Sequence, residues 1–219
     1  MKSLQFKKIT ADYGQMAILQ EIDIAFEQGK LHGIIGANGS GKSTLLKTVL
    51  KLANCRSGSI LIGNRKINPI PTYRLGRGLI SALPQRTFIY PSLSIKENIN
   101  ASVAWFNRQE RNNSIKYGLE LWRSIFPEVK LSMQASLLSV GESRCLGIVC
   151  CLCRPAEWYL LDEPTAGLDD FASNNIFNWC KLVAGKGKGL IIVEQRLNFV
   201  TTYCDTSSEI HNGKIYSNL

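Results

Sequence analysis

Apolar positions change their period several times along the chain, and each change marks an element. Residues 4–9 read as a first strand, and 17–26 carries Ile18, Leu19, Ile22, Ile24 and Phe26 in rough alternation, the pattern of a half-buried antiparallel hairpin. The run Gly33-Ile34-Ile35 predicts a buried strand, and the apolar spacing after Lys42 (Leu45, Leu46, Val49, Leu50) predicts a helix. Further strands are expected over 57–63, bounded by turn residues, and over 79–85, where Pro84 ends the ladder. Ser94 with Glu97 three positions on has the spacing of a capping box, so a helix starts there, and the pattern stays helical and grows more polar to about 138. A further helix opens at 138–142 and runs to about Arg154, stopped by Pro155. Residues 158–161 and 190–193 are compact apolar strands, and 208–215 closes as a hairpin around Asn212-Gly213.

Composition narrows this pattern to one ordered unit. With 219 residues, 45% hydrophobic and 20% charged, the chain can bury a sizeable core, as one large domain or a core with a small insert. No run approaches the ~20 apolar residues of a membrane span, and the first eight residues lack the apolar stretch and cleavage site of a signal peptide, so a cytosolic protein is expected. The seven cysteines then read as reduced thiols. Cys145, Cys150, Cys151 and Cys153 crowd one helical segment with no histidine near and no paired Cys-x-x-Cys spacing, which favours small core residues over a metal site. The net charge of +9 sits wholly in residues 1–110, with 15 Lys and Arg against 6 Asp and Glu, while 111–219 is balanced. Without a compact basic block it reads as a solvated face rather than a nucleic-acid patch.

Candidate chemistry begins at 36–44, which reads Gly36, Ala37, Asn38, Gly39, Ser40, Gly41, Lys42, Ser43, Thr44 and has the spacing of a phosphate-binding loop. Glycines let the backbone turn tightly and present N–H groups, Lys42 can reach β- and γ-phosphates, the Ser43 hydroxyl can bind Mg²⁺, and the following helix aims its N-terminus at the anion. The strand at 158–161 delivers two adjacent acids, Asp162 and Glu163, suited to ordering Mg²⁺ and to polarising an attacking water. The Gly185-Lys186-Gly187-Lys188-Gly189 stretch lacks the loop's spacing and reads as a turn. Tyr13, in a loop before Gly14, is an aromatic that could lie on an adenine ring.

Taken in order, the loop at 36–44, Gln85, the Leu-Ser-x-Gly start at 138–142 and the Leu-Asp-Glu-Pro-Thr-Ala-Gly-Leu-Asp run at 161–169 resemble the nucleotide-binding subunit of ABC transporters over essentially the whole chain. The resemblance implies an α/β P-loop NTPase fold: a mixed sheet core, an N-terminal antiparallel β subdomain and a small helical subdomain, with 1–85 and 139–219 as the ATPase core and 86–138 as the helical part. It implies ATP and Mg²⁺ as ligands. Tyr13 would stack on adenine, 36–44 would hold the phosphates, and Ser43, Gln85 and Asp162 would serve the metal. Glu163 would be the general base, and Gln85 would also link the helical part to a membrane partner. Ser139 and Gly141 would meet the γ-phosphate of nucleotide held by a second subunit, with Asp169 at the joint of a head-to-tail dimer. Integral membrane permease subunits and a second ATPase subunit are the implied partners, with no nucleic acid, and the implied location is peripheral, on the cytoplasmic face of the membrane. Little sequence follows Ile215, so a motor without a C-terminal regulatory domain is expected.

Two positions depart from the family pattern. Val140 stands where a glycine is usual; it is strained if that position needs positive φ and crowds the phosphate if the position needs close approach. Gln195 stands where a γ-phosphate-contacting histidine is usual; an amide can donate a hydrogen bond but carries no charge. The Val193-Glu194-Gln195 run, with Glu142, is most similar to the branched-chain amino-acid (Liv-type) ATPases, so Gln195 need not mean inactivity. Val140 and Gln195 also fit a second reading, a degenerate half that binds ATP and dimerises with a more active subunit. A soluble nucleic-acid-acting member of the family is a third, supported only by the basic half.

Overall fold

The structure, a computed structural model, describes residues 2–14, 16–85 and 88–218. Its first layer is antiparallel. Strand β1 (Ser3–Asp12) pairs on one side with β2 (Ala17–Glu27) and on the other with β4 (Asn54–Ile62), which carries the short β5 (Arg65–Lys66) on its outer edge. The alternation in 17–26 thus reports the inward face of a sheet whose other face meets water.

The second sheet is mixed, in the order β10-β9-β3-β8-β7-β6. Strands β3 (Leu31–Ile35), β6 (Ile80–Leu83), β7 (Trp158–Asp162) and β8 (Gly189–Val193) run parallel, β9 (Thr206–His211) joins them in parallel beside β3, and β10 (Lys214–Asn218) closes the edge as an antiparallel hairpin. Every residue of β7 and β8 is buried, because both faces of this sheet are covered. Alternation survives inside those runs. Trp158, Leu160, Ile191 and Val193 pack with the antiparallel layer and helix α1 (Lys42–Val49), while Tyr159, Leu161, Leu190 and Ile192 pack with the helices on the opposite side.

Those helices are α3 (Ile95–Ser102), α4 (Arg108–Ile125), α5 (Val140–Leu152), α6 (Asp170–Gly185) and α7 (Leu197–Tyr203), after the single turn α2 (Thr72–Leu75) near β6. The capping box expected at Ser94 is present: the Glu97 N–H donates to Ser94 Oγ at 3.2 Å, and the Ser94 N–H donates to Glu97 Oε2 at 2.7 Å. The uniform helicity expected to 138 is interrupted. Helix α4 ends at Phe126 because Pro127 follows, and a residue before proline is pushed out of the α region. The chain then doubles back to the start of α3, where Ile95 N donates to Met133 O at 3.0 Å and Ala135 N to Leu93 O at 2.9 Å, before a 3₁₀ turn at Ala135–Leu137. Residues 86 and 87, the first of the expected helical part, lie outside the described residues. Cys145, Cys151 and Cys153 are buried in the helix-side core and Cys150 packs against it; burial pushes the Cys145 thiol up to about 12 and Cys151 up to about 11.

His32, on the strand that leads into the glycine-rich loop, is 3% exposed. Its Nδ1 meets Thr206 Oγ1 at 2.6 Å and its Nε2 faces the Glu27 backbone. Burial holds its pKa below the ordinary 6.5, against the opposing Glu27 contact. The unfolded chain therefore binds the proton more readily, so the stability associated with neutral His32 is complete above about 6.5 and is lost as pH falls through the lower folded value. His211, by contrast, is exposed. A proton NMR titration of the two histidines should give a midpoint below 6.5 for His32, and His32→Gln should flatten the acid limb of a melting-temperature curve; a His32 midpoint at or above 6.5 would refute the burial argument.

Candidate active site

Parallel strands end together, so the sheet topology gathers the expected site residues along one edge. The 36–44 loop leaves β3, Gln85 follows β6, Asp162 and Glu163 end β7, and Gln195 lies just past β8.

Within the loop Gly36, Gly39 and Gly41 all have positive φ, and two of them are also confined by close contacts. Gly36 has φ 147°, and a Cβ there would collide with Ile210 O and lie 2.8 Å from Ser40 Oγ. Gly41 caps α1 in the left-handed region at φ 110°, with Leu19 Cδ2 2.7 Å from where a Cβ would stand. The Lys42 side chain is buried and curls over the loop, donating to Gly36 O at 2.7 Å and Ala37 O at 2.8 Å. Ser40 Oγ is buried and without a hydrogen-bond partner among the described residues, and Thr44 is buried on the first turn of α1. A cradle of backbone N–H groups with a buried cation and an unsatisfied hydroxyl fits a polyphosphate. Ser43 Oγ donates to Asp162 Oδ1 at 2.8 Å, which joins two hard oxygen ligands of the kind Mg²⁺ takes. Burial raises the Asp162 pKa, opposed by the Ser43 hydrogen bond and nearby cations.

Glu163 is held from two sides. Gln195 Nε2 donates to its Oε1 and Gln85 Nε2 to its Oε2 at 3.3 Å, so the carboxylate bridges the two amides. Its backbone has φ 49°, the left-handed region that costs a non-glycine residue about 1–2 kcal/mol. Tyr13 is half-exposed with Lys47 Nζ of α1 5.8 Å from its ring centroid, and Asn38 and Gly39 lie exposed between them in the loop sequence.

Ser139 and Gly141 are organised differently. Ser139 caps α5 and forms its own capping box: Glu142 N donates to Ser139 Oγ at 3.2 Å and Ser139 N to Glu142 Oε2 at 2.8 Å. Val140 is the first residue of α5, has no positive φ and is 86% exposed, so the strained alternative falls and only close approach to an incoming group remains. Asp169 caps α6, accepting from Ala172 N at 2.8 Å.

Several residues that organise this edge are not prominent in the sequence. Arg144 of α5 is 7% exposed and reaches the carbonyls of Gln85, Asp162 and Glu163. The buried Glu194 accepts from Thr165 Oγ1 at 2.7 Å and from Gln195 N at 2.9 Å. Asp12, buried and held below its usual carboxylate range by the Gly14 N–H and then by Arg56 and Asn54, pins the loop that carries Tyr13, and Arg56 also donates to Gly14 O at 2.6 Å. A lone cation ahead of the apolar run 145–149 is the signal that could have singled out Arg144.

Similarity to known proteins agrees with this architecture. The ABC transporter family model matches residues 19–166. A probable branched-chain amino acid transport ATP-binding protein, LivF of Archaeoglobus fulgidus, is 29% identical over 98% of this chain and 91% of its own length. The high-affinity branched-chain amino acid transport ATP-binding protein BraG of Pseudomonas aeruginosa is 28% identical over 97% and 90%. Among solved structures, an ATP-binding subunit of an ABC transporter superposes with a TM-score of 0.86 at 24% identity, covering 98% of this chain and 89% of the other. A dimeric cassette in a post-hydrolysis state with ADP and phosphate superposes at 0.85 and 22% identity, covering 98% and 97%. With a family match across two thirds of its length and that fold throughout, the chain belongs to the ABC transporter family.

Proposed function

We propose that the chain is the ATP-binding and hydrolysing subunit of a membrane transport system. The observation that carries the reading is the convergence at the end of β7: Gln85 and Gln195, from the ends of β6 and β8, meet the Glu163 carboxylate, while the adjacent Asp162 is bonded to Ser43 of the glycine-rich loop. ATP as substrate would lie along 36–44, with its base toward Tyr13 and its terminal phosphates toward Lys42, Ser43 and Thr44. To reach them, Lys42 exchanges its carbonyl partners for phosphate oxygens, a stronger charge-assisted bond. Mg²⁺, when bound, neutralises phosphate charge; Ser43, Asp162 and Gln85 are the residues that would hold it. Glu163, freed from one amide, can accept the proton of the attacking water, while Gln195 keeps it aimed.

We assign Ser139 and Gly141, at the start of α5, to nucleotide on a second ATPase subunit. The helical part 86–138 would meet integral membrane permease subunits, which places the chain peripherally on the cytoplasmic face. Among the described residues no helix is long and apolar enough to cross a membrane. The similarity to LivF and BraG makes branched-chain amino acids the first substrate class to test.

Three substitutions test the assignment. Lys42→Ala removes the only side-chain cation buried in the loop among the described residues and should abolish measurable ATP binding in a fluorescence titration; wild-type affinity would refute the placement of phosphate. Glu163→Gln should retain binding but slow turnover about 10²- to 10⁴-fold, with a larger species on gel filtration in ATP; unchanged turnover would exclude Glu163 as base. Val140→Gly should raise ATPase turnover modestly, within about tenfold, because Val140 is unstrained and obstructs only an incoming group. If wild type is inert beside its permease and Val140→Gly brings large recovery, the degenerate-half reading takes over.

A further inference from the structure

Arg144 is placed to do something the motifs do not state. It lies in the second turn of α5, the helix that Ser139 caps, and its guanidinium is buried where two other segments meet. Nη1 donates to Gln85 O at 2.6 Å. Nη2 donates to Asp162 O at 2.9 Å and Glu163 O at 2.6 Å, and Nε to Pro164 O at 3.4 Å. All these acceptors are main-chain carbonyls, so the side chain grips backbone at the two places from which Gln85 and Glu163 project. A planar fork holds several carbonyls in one fixed geometry, where an ammonium on a flexible stem fixes their orientation less. Glu163, one of the two residues held at 2.6 Å, is also in left-handed backbone, a conformation that persists only when its surroundings over-determine it. Glu163 N also donates to Val193 O at 2.9 Å and Ala166 N to Glu163 O at 3.2 Å, so Arg144 adds side-chain bonds to a turn that backbone bonds hold from the other side.

We propose that Arg144 is a positioning residue for ATP hydrolysis, holding the Gln85 and Glu163 main chains in fixed register so that the two side chains address the same water. This rests on Glu163 being the base. In this role Arg144 acts through the main-chain carbonyls it holds. The same grip means that α5 cannot shift at its Ser139 end without moving the backbone under Glu163.

The test compares Arg144→Lys and Arg144→Met with wild type and Glu163→Gln in the full chain. Three quantities are read: binding of a fluorescent ATP analogue, kcat and KM for MgATP, and amide hydrogen exchange of the nucleotide-free chain. The expected result is analogue binding within about twofold, kcat lowered about 10- to 100-fold at nearly constant KM, and faster exchange confined to 161–166 and the Gln85 loop, with Lys no better than Met at restoring protection. Full kcat with native exchange would overturn the proposal. So would faster exchange throughout the chain with analogue binding lost in parallel, which is the mark of a purely structural residue. If Glu163→Gln turns over normally, the base assignment fails, while confined exchange in the Arg144 variants still establishes the grip on its own.

Discussion

A parallel sheet must be covered on both faces, and its strands all end on the same side. That constraint decides where chemistry can occur in this chain. Four segments far apart in sequence leave β3, β6, β7 and β8 at one edge, and their first residues beyond the ladder are the ones free to turn toward a ligand. The antiparallel layer supports the arrangement from one side through α1 and Trp158, and the helices support it from the other through Tyr159, Leu161 and Leu190. Rigidity at the edge therefore comes from packing below it and from polar groups buried among the loops, Arg144, Thr165 and Glu194.

Charge at the edge is arranged as compensation rather than as exposed ion pairing. Asp162 and Glu194 are buried acids, and Arg144 and Lys42 are buried cations, each hydrogen-bonded to main chain or to a hydroxyl. Burial lowers the Arg144 pKa while Asp162, Glu163 and Glu194 oppose it, so the acids offset part of the cost of burying the guanidinium and the guanidinium offsets part of theirs. Such a set is costly to break one member at a time, because each loss leaves an uncompensated group in low dielectric.

Much of this was legible in the chain itself, for identifiable reasons. The glycine-rich loop at 36–44 and the Asp162-Glu163 pair at the end of β7 depend on local spacing and backbone freedom, which sequence states directly. The strands at 158–161 and 190–193 showed as apolar runs because both their faces are buried. The break after α4 needed the weight of Pro127 against an otherwise helical pattern. Arg144 and the Thr165–Glu194 pair stayed hidden because their partners are 18 to 59 residues away and are carbonyls or a buried acid, with no motif of their own. The conformation of Val140 was open until the backbone placed it inside a helix turn.

The capping box at the start of α5 has a consequence of its own. Glu142 already occupies the anion seat at that helix end, donated to by the Ser139 N–H, so the dipole there is quenched by an internal carboxylate. On the dimer reading, a phosphate brought by a second subunit competes with a tethered anion at high effective concentration rather than entering a vacant pole. On that reading the dipole contributes less to association at this corner than it would at a helix end without a carboxylate of its own.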